Sequence, residues 1–212
     1  RPVGRTRRHP VSPGPVRGLG RLPLLLFLAA LAGCTTSPPR DTDNICAIFF
    51  EKDDWYQDAV RARDKWDSGI PVMMAIMHQE SRFRADAKPP RQKILGIIPW
   101  TRPSDAYGYS QALDATWDWY ESSTGRWGAD RDDFGDSIDF IGWYNDQSYR
   151  SNGIDRADTY SLYLAYHEGH GGYSRASYRS KPWLTDVARK VQGRAATYQV
   201  QLQVCEEKLK DS

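Results

Sequence analysis

A chain of 212 residues is long enough for one domain with a substantial core plus tails. Its 8 tryptophans and 12 tyrosines suit a packed core or a cleft for sugar rings. The net charge of +2 misleads, because residues 1–33 carry six arginines and no acid; without them 23 basic residues stand against 27 acidic ones, a net of −4, so the body of the chain has no basic footprint for nucleic acid.

The first 21 residues are basic and rich in proline and glycine. The apolar run Leu22 to Gly33 follows, too short for a permanent transmembrane helix and matched to the apolar region of an export signal. Its end, Leu31-Ala32-Gly33-Cys34, resembles the bacterial lipobox. That resemblance implies a signal over residues 1–33, lipidation of Cys34 and a membrane anchor through it. Thr35 stands where inner-membrane lipoproteins carry aspartate, so the implied location is the outer membrane, on the periplasmic side of a bacterial envelope. An ordinary signal with a stray cysteine is the other reading. Residues 35–43 are polar and proline-broken, which predicts a tether and starts the folded domain at residue 44.

Two cysteines remain, Cys46 and Cys205. An even count in an exported chain suggests a disulfide. Val191, Ala195, Tyr198, Leu202 and Cys205 step by four and three, which puts Cys205 on a buried stripe, and Cys46 shares a face with Phe49 and Phe50. Two buried free thiols are the alternative.

Helices are predicted at about 44–51, 54–67, 70–80, 112–122, 134–149, 156–168 and 183–208, with at most minor sheet, because no stretch alternates apolar and polar over six residues. The fold class is mainly α. In the third helix Met73, Ile76, Met77 and Glu80 share a stripe, so Glu80 either ends the helix in water or sits where burial raises a carboxyl pKa toward that of a general acid. Residues 84–105 hold four prolines and form a long irregular segment whose apolar part, Ile94 to Trp100, is expected to wall a groove, tuck into the core, or lie against a membrane or partner. In the sixth helix Tyr160, Tyr163, Leu164 and His167 space as a core face.

Three motifs stand in order: Glu80-Ser81 at a helix end, Gly108-Tyr109-Ser110-Gln111, and Ala165-Tyr166-His167-Glu168-Gly169. Together they resemble the soluble lytic transglycosylases, whose lysozyme-like fold is shared with goose-type lysozymes. The first motif matches. The second keeps Gly and Gln of Gly-Leu-Met-Gln, and the third keeps Ala, Tyr and Gly of Ala-Tyr-Asn-x-Gly, with His167 in the asparagine place. The resemblance covers roughly residues 68–200. It implies cleavage of the bond between N-acetylmuramic acid and N-acetylglucosamine in peptidoglycan glycan strands, without water, by one glutamate that is first acid and then base. Glu80 takes that role. Ser81, Tyr109, Gln111, Tyr166 and His167 are the implied substrate contacts, with the Tyr166 hydroxyl turned toward Glu80. The chemistry calls for no cofactor and no metal.

Most glycosidases use two carboxyls. Asp86, Asp105 and Asp114 lie near motifs, none in a recognisable place, which favours the transglycosylase over a hydrolytic lysozyme. A non-catalytic glycan-binding lipoprotein is a further alternative, motivated by the altered motif positions. His167-Glu168-Gly169-His170 is similar to a zinc-peptidase pattern, but its histidines stand at i and i+3 rather than on one helical face at i and i+4.

Overall fold

A computed structural model describes residues 37–90, 93–94, 98–99 and 104–210. Residues 1–33, expected to be an export signal, Cys34 and most of the apolar loop at 94–100 lie outside the described residues. Among the described residues seven α-helices run in order: α1 Ile45–Glu51, α2 Trp55–Trp66, α3 Ile70–Ser81, α4 Asp114–Thr124, α5 Phe134–Asn152, α6 Thr159–Ser174 and α7 Pro182–Lys210. A short antiparallel pair, β1 Lys93–Ile94 and β2 Ile98–Pro99, joins Lys93 to Pro99 and Ile94 to Ile98. The domain is mainly α, and sheet is confined to this pair among the described residues.

α3 is the centre. Every residue from Ile70 to His78 is buried, with Met73, Met74, Ala75, Ile76 and Met77 fully so. The helix is therefore enclosed on all sides rather than along one stripe, and α2, α5 and α7 pack around it. Burying each of its large apolar side chains contributes about 1.5–3 kcal/mol. α7 covers α1, α3 and α6, while α5 packs on α2 and α6. The α7 stripe from Val191 to Cys205 is buried as its spacing requires.

Local chemistry sets the helix ends. The Asn44 side chain accepts from the backbone N–H groups of Cys46 and Ala47, and Asp133 and Asp158 cap α5 and α6 in the same way. α4 begins two residues later than its apolar pattern indicates, because Gln111 (φ +53°) and the Tyr107–Ala112 bridge hold a turn before it. α6 runs to Ser174, past the expected end near residue 168. Gly169 is non-helical (φ 73°, ψ 158°) but its neighbours resume the helix, so the glycine makes a kink rather than a stop.

Residues 37–43 correct the expectation of a tether. Pro39 is buried, Lys52 Nζ reaches the Ser37 carbonyl at 2.7 Å, and Arg40 N–H donates to Glu51 at 3.0 Å. Tyr198 donates to the Thr42 carbonyl, and Arg194 pairs with Asp43 at 2.7 Å. Composition reads a polar, proline-broken segment as linker, but α1 and its C-cap bond its first half, and Tyr198 and Arg194, more than 150 residues away, bond its second.

Cys46 and Cys205 are joined by a disulfide with a sequence separation of 159. It ties α1 to the far end of α7. A loop of that length gives a chain-entropy ceiling of about 5 kcal/mol. Replacing both cysteines by serine is expected to lower stability by about 2–5 kcal/mol in urea denaturation, with α-helical circular dichroism retained. An unchanged midpoint would show that the bridge contributes nothing to stability.

Candidate active site

A cleft of about 450 Å³ opens beside the end of α3. Glu80 forms its floor, α5 supplies Phe140 and Tyr144, and α6 supplies Tyr166, His167, Glu168 and Gly169. Gln111, Ala112 and Leu113, before α4, close another side.

The position of Glu80 follows from how α3 stops. Arg82 and Phe83 both take left-handed backbone (φ 53° and 59°), and Arg82 N–H returns to the His78 carbonyl. Two consecutive non-glycine residues in this region cost about 1–2 kcal/mol each. Burial of the Phe83 ring at 0 % exposure offsets that cost. The turn thus ends the helix one residue after Glu80 and leaves its carboxyl at the cleft rather than inside the core.

Glu80 remains partly exposed to the cleft, yet protein surrounds it on its other sides. Desolvation pushes its pKa up to about 7, and the Tyr163 hydroxyl, which faces it as a donor, holds it from rising further. Among the described residues nothing cationic contributes to the shift. Burial keeps the Tyr144 hydroxyl neutral by raising its pKa to about 12, and burial followed by the nearby Glu80 charge raises Tyr166 well above the ordinary tyrosine value. Tyr144 and Tyr166 meet edge to face at 5.1 Å and line the cleft beside the carboxyl.

The expected substrate contacts divide. Gln111 is at the cleft. Its amide nitrogen gives its protons to the carbonyls of Ala87 and Gly108, each at 2.9 Å, which hold its left-handed backbone and leave the side-chain carbonyl as its remaining polar atom. Gly108 is required there, since a Cβ would lie 1.9 Å from the Arg131 carbonyl oxygen. Tyr109, by contrast, is fully buried, edge-on to Trp55 and Phe134, so it is a core residue and not a wall of the cleft. Ser81 is also buried, with its hydroxyl on the Met77 carbonyl at 3.3 Å. Its side chain closes the last turn of α3 rather than reaching a ligand.

Tyr166 lines the cleft, but its hydroxyl donates to the Ser110 carbonyl at 2.7 Å. Tyr163, one turn earlier, is the tyrosine that faces Glu80. Its helical spacing marked it as core, and nothing in sequence separates a buried tyrosine that packs from one that also presents its hydroxyl to an acid. His167 is on the exposed rim instead of the core face, edge-on to Trp183 at 5.3 Å. Trp183 itself is 55 % exposed.

A second carboxylate does line the cleft, and it is Glu168. Asp86 pairs with Arg84 at 3.6 Å and Asp114 with Arg131 at 2.6 Å, and neither they nor Asp105 line it. Burial works against the Glu168 charge, but Lys181 at 2.7 Å, the Ser177 hydroxyl and His167 at 3.1 Å outweigh it and hold its pKa at about 2. It is a committed anion. The histidines of the zinc-like pattern diverge: His167 bonds Glu168, while His170 stacks on Tyr144 at 4.4 Å and meets Ser148 at 3.0 Å. Among the described residues no group of three or more His, Cys, Asp or Glu is placed to hold a metal ion.

The arrangement offers one protonatable carboxyl poised near neutrality, in a partly apolar cleft whose other acid is locked in an ion pair. Comparison with curated proteins finds no match. The family model for the transglycosylase SLT domain matches residues 22–205, well over half of the chain, and covers all three motifs and every element of the cleft. The chain belongs to the transglycosylase SLT domain family, whose members are lytic transglycosylases of peptidoglycan.

Proposed function

We propose that this chain is a peptidoglycan lytic transglycosylase that cleaves the β-1,4 bond between N-acetylmuramic acid and N-acetylglucosamine with Glu80 as its acid and base. The observation that carries this reading is the Glu80 carboxyl, with its pKa raised to about 7 at the floor of the cleft. A carboxyl at that value is largely protonated in mildly acidic solution, and its conjugate base is still strong enough to take a proton back.

In the first half of the reaction the Glu80 proton goes to the glycosidic oxygen, and the bond to the muramic C1 breaks with oxocarbenium character. In the second half the muramic 6-hydroxyl attacks C1 and gives its proton to the Glu80 carboxylate. The 1,6-anhydro ring closes, Glu80 is again protonated, and no water enters. The neutral hydroxyl of Tyr163 stabilises the intervening carboxylate, as its effect on the Glu80 pKa indicates. Gln111 offers its carbonyl oxygen to a sugar hydroxyl or N–H, and His167 with Trp183 supplies a rim on which a sugar ring can rest.

Glu168 supports this reading over a hydrolytic lysozyme. A second carboxyl acting as nucleophile or base for water must be free to approach the sugar. Glu168 is instead bound by Lys181, Ser177 and His167. The lipobox-like ending at Cys34 supports placing the enzyme on the periplasmic face of the outer membrane through a lipid anchor. Among the described residues no helix is long and apolar enough to cross a membrane.

Incubation with purified peptidoglycan and mass analysis is expected to give products one water lighter than those of a hydrolase. Products that all carry reducing ends would refute the transglycosylase assignment and favour the hydrolase. Glu80→Gln is expected to lower turnover by roughly 10²–10⁴-fold.

The same substitution has a stability readout. Because folding raises the Glu80 pKa from 4.5 to about 7, the stability it contributes is fully present below pH 4.5 and is lost as pH rises through about 7. Glu80→Gln should therefore be more stable than the parent at pH 8, by about 3 kcal/mol, and show no such gain at pH 4. Tyr163→Phe removes the donor that favours the carboxylate. The alkaline limb of kcat/KM, which tracks loss of the protonated acid, is expected to move to higher pH. A limb that stays in place would show that Tyr163 does not act on Glu80.

A further inference from the structure

A second and larger cleft, of about 700 Å³, lies between α3 and α7 and shares no lining residue with the Glu80 cleft. α3 lines it with His78, the left-handed turn that follows α3 with Arg82, and α7 with Lys190 and Arg194, one turn apart on one face of that helix. The acid lining it is Asp43, bound to Arg194 at 2.7 Å. Among the described residues the Arg82 and Lys190 side chains have no ion pair and no hydrogen bond. Like charges at i and i+4, and a third cation across the gap, repel one another unless an anion joins them.

His78 adds an independent observation. It is 8 % exposed, yet its ring nitrogens have no hydrogen-bond partner among the described residues; Nε2 lies 3.8 Å from Asp43, beyond bonding distance. Its ring touches Phe83 edge-on at 5.9 Å. Burial, and after it the positive charge of Arg194, holds the imidazole neutral with a pKa of about 4. His78 thus lines the cleft with a polar ring edge that no side chain within bonding distance occupies.

We propose that this cleft is a second binding site, for a ligand bearing a carboxylate or phosphate group, with Arg82 and Lys190 as its charge partners and His78 as a hydrogen-bond donor. The space exceeds that of a simple ion and falls within the range of small-molecule sites. Arg82 presents the planar fork that pairs with two oxygens of such a group, and Lys190 presents a point charge. The site stands on its own residues and holds whatever reaction the Glu80 cleft performs.

The test is a titration of the isotope-labelled full chain at pH 7 with inorganic phosphate and, separately, with citrate, against sodium chloride at matched ionic strength. The His78 ring and the Arg82 guanidinium resonances are followed by NMR. Saturable shifts of both, absent with chloride, are expected with at least one of the two. Saturation by phosphate alone assigns a phosphate-bearing ligand, and saturation by citrate alone assigns a carboxylate-bearing one. The Lys190→Gln and Arg82→Gln substitutions, both at exposed positions, are expected to weaken that binding by about tenfold or more without changing the midpoint of thermal unfolding in chloride. Non-saturating shifts with both anions would overturn the proposal, as would saturation unchanged in both variants.

Discussion

The enclosure of α3 is the constraint on which the rest depends. A helix buried from Ile70 to His78 needs protein on every side, and α2, α5 and α7 supply it. The same packing that removes water from Met73 and Ile76 also removes it from most of the environment of Glu80, a turn beyond. A carboxylate there is costly, and the proton it retains is the consequence. Core formation and the raised pKa of Glu80 are thus one event. The left-handed turn at Arg82 and Phe83 decides which residue occupies the boundary, because it stops the helix just after Glu80 has reached the cleft.

Around that boundary the polar groups are graded by their partners. Glu80 has desolvation and one tyrosine, so its proton is poised. Glu168 has a lysine, a serine and a histidine, so its charge is fixed. Asp139, deeper between α2, α4 and α5, receives Tyr120 at 2.5 Å and Trp66 at 3.0 Å and serves packing. Three acids of one chain have three different uses, separated by the number and charge of the groups that face them rather than by their residue type.

α3 also divides two clefts of opposite electrostatic character. The Glu80 side is walled by neutral tyrosines and an internally paired ion cluster, and the His78 side by cations that outnumber their acid. Successive residues of a helix turn point in different directions, so a single turn from His78 to Arg82 serves both. α7 carries the far wall of the cationic cleft and is tied to α1 by the disulfide, which places that cleft on the part of the fold held by a covalent link.

The helices, the buried stripe of α7, the pairing partners Cys46 and Cys205, and Glu80 at the end of the apolar α3 were legible from spacing and composition, because periodicity and cysteine count are local or nearly so. So was the family, because three short motifs survive in order even where Tyr109, Ser110 and His167 depart from the common pattern. What the sequence left open was direction. Tyr109 and Ser81 sit in motifs and are buried, Tyr163 reads as core and faces the acid, and residues 37–43 read as linker and are docked. Except for Ser81, which bonds Met77 one turn back, the deciding contact comes from a distant part of the chain: Trp55 and Phe134 for Tyr109, Glu80 for Tyr163, Tyr198 and Arg194 for the tether. The sequence by itself determined the helices, the buried stripe of α7 and the carboxyl at the end of α3. Only the tertiary structure decided which hydroxyls and charges meet, because burial of a polar group is set by neighbours that no local pattern names.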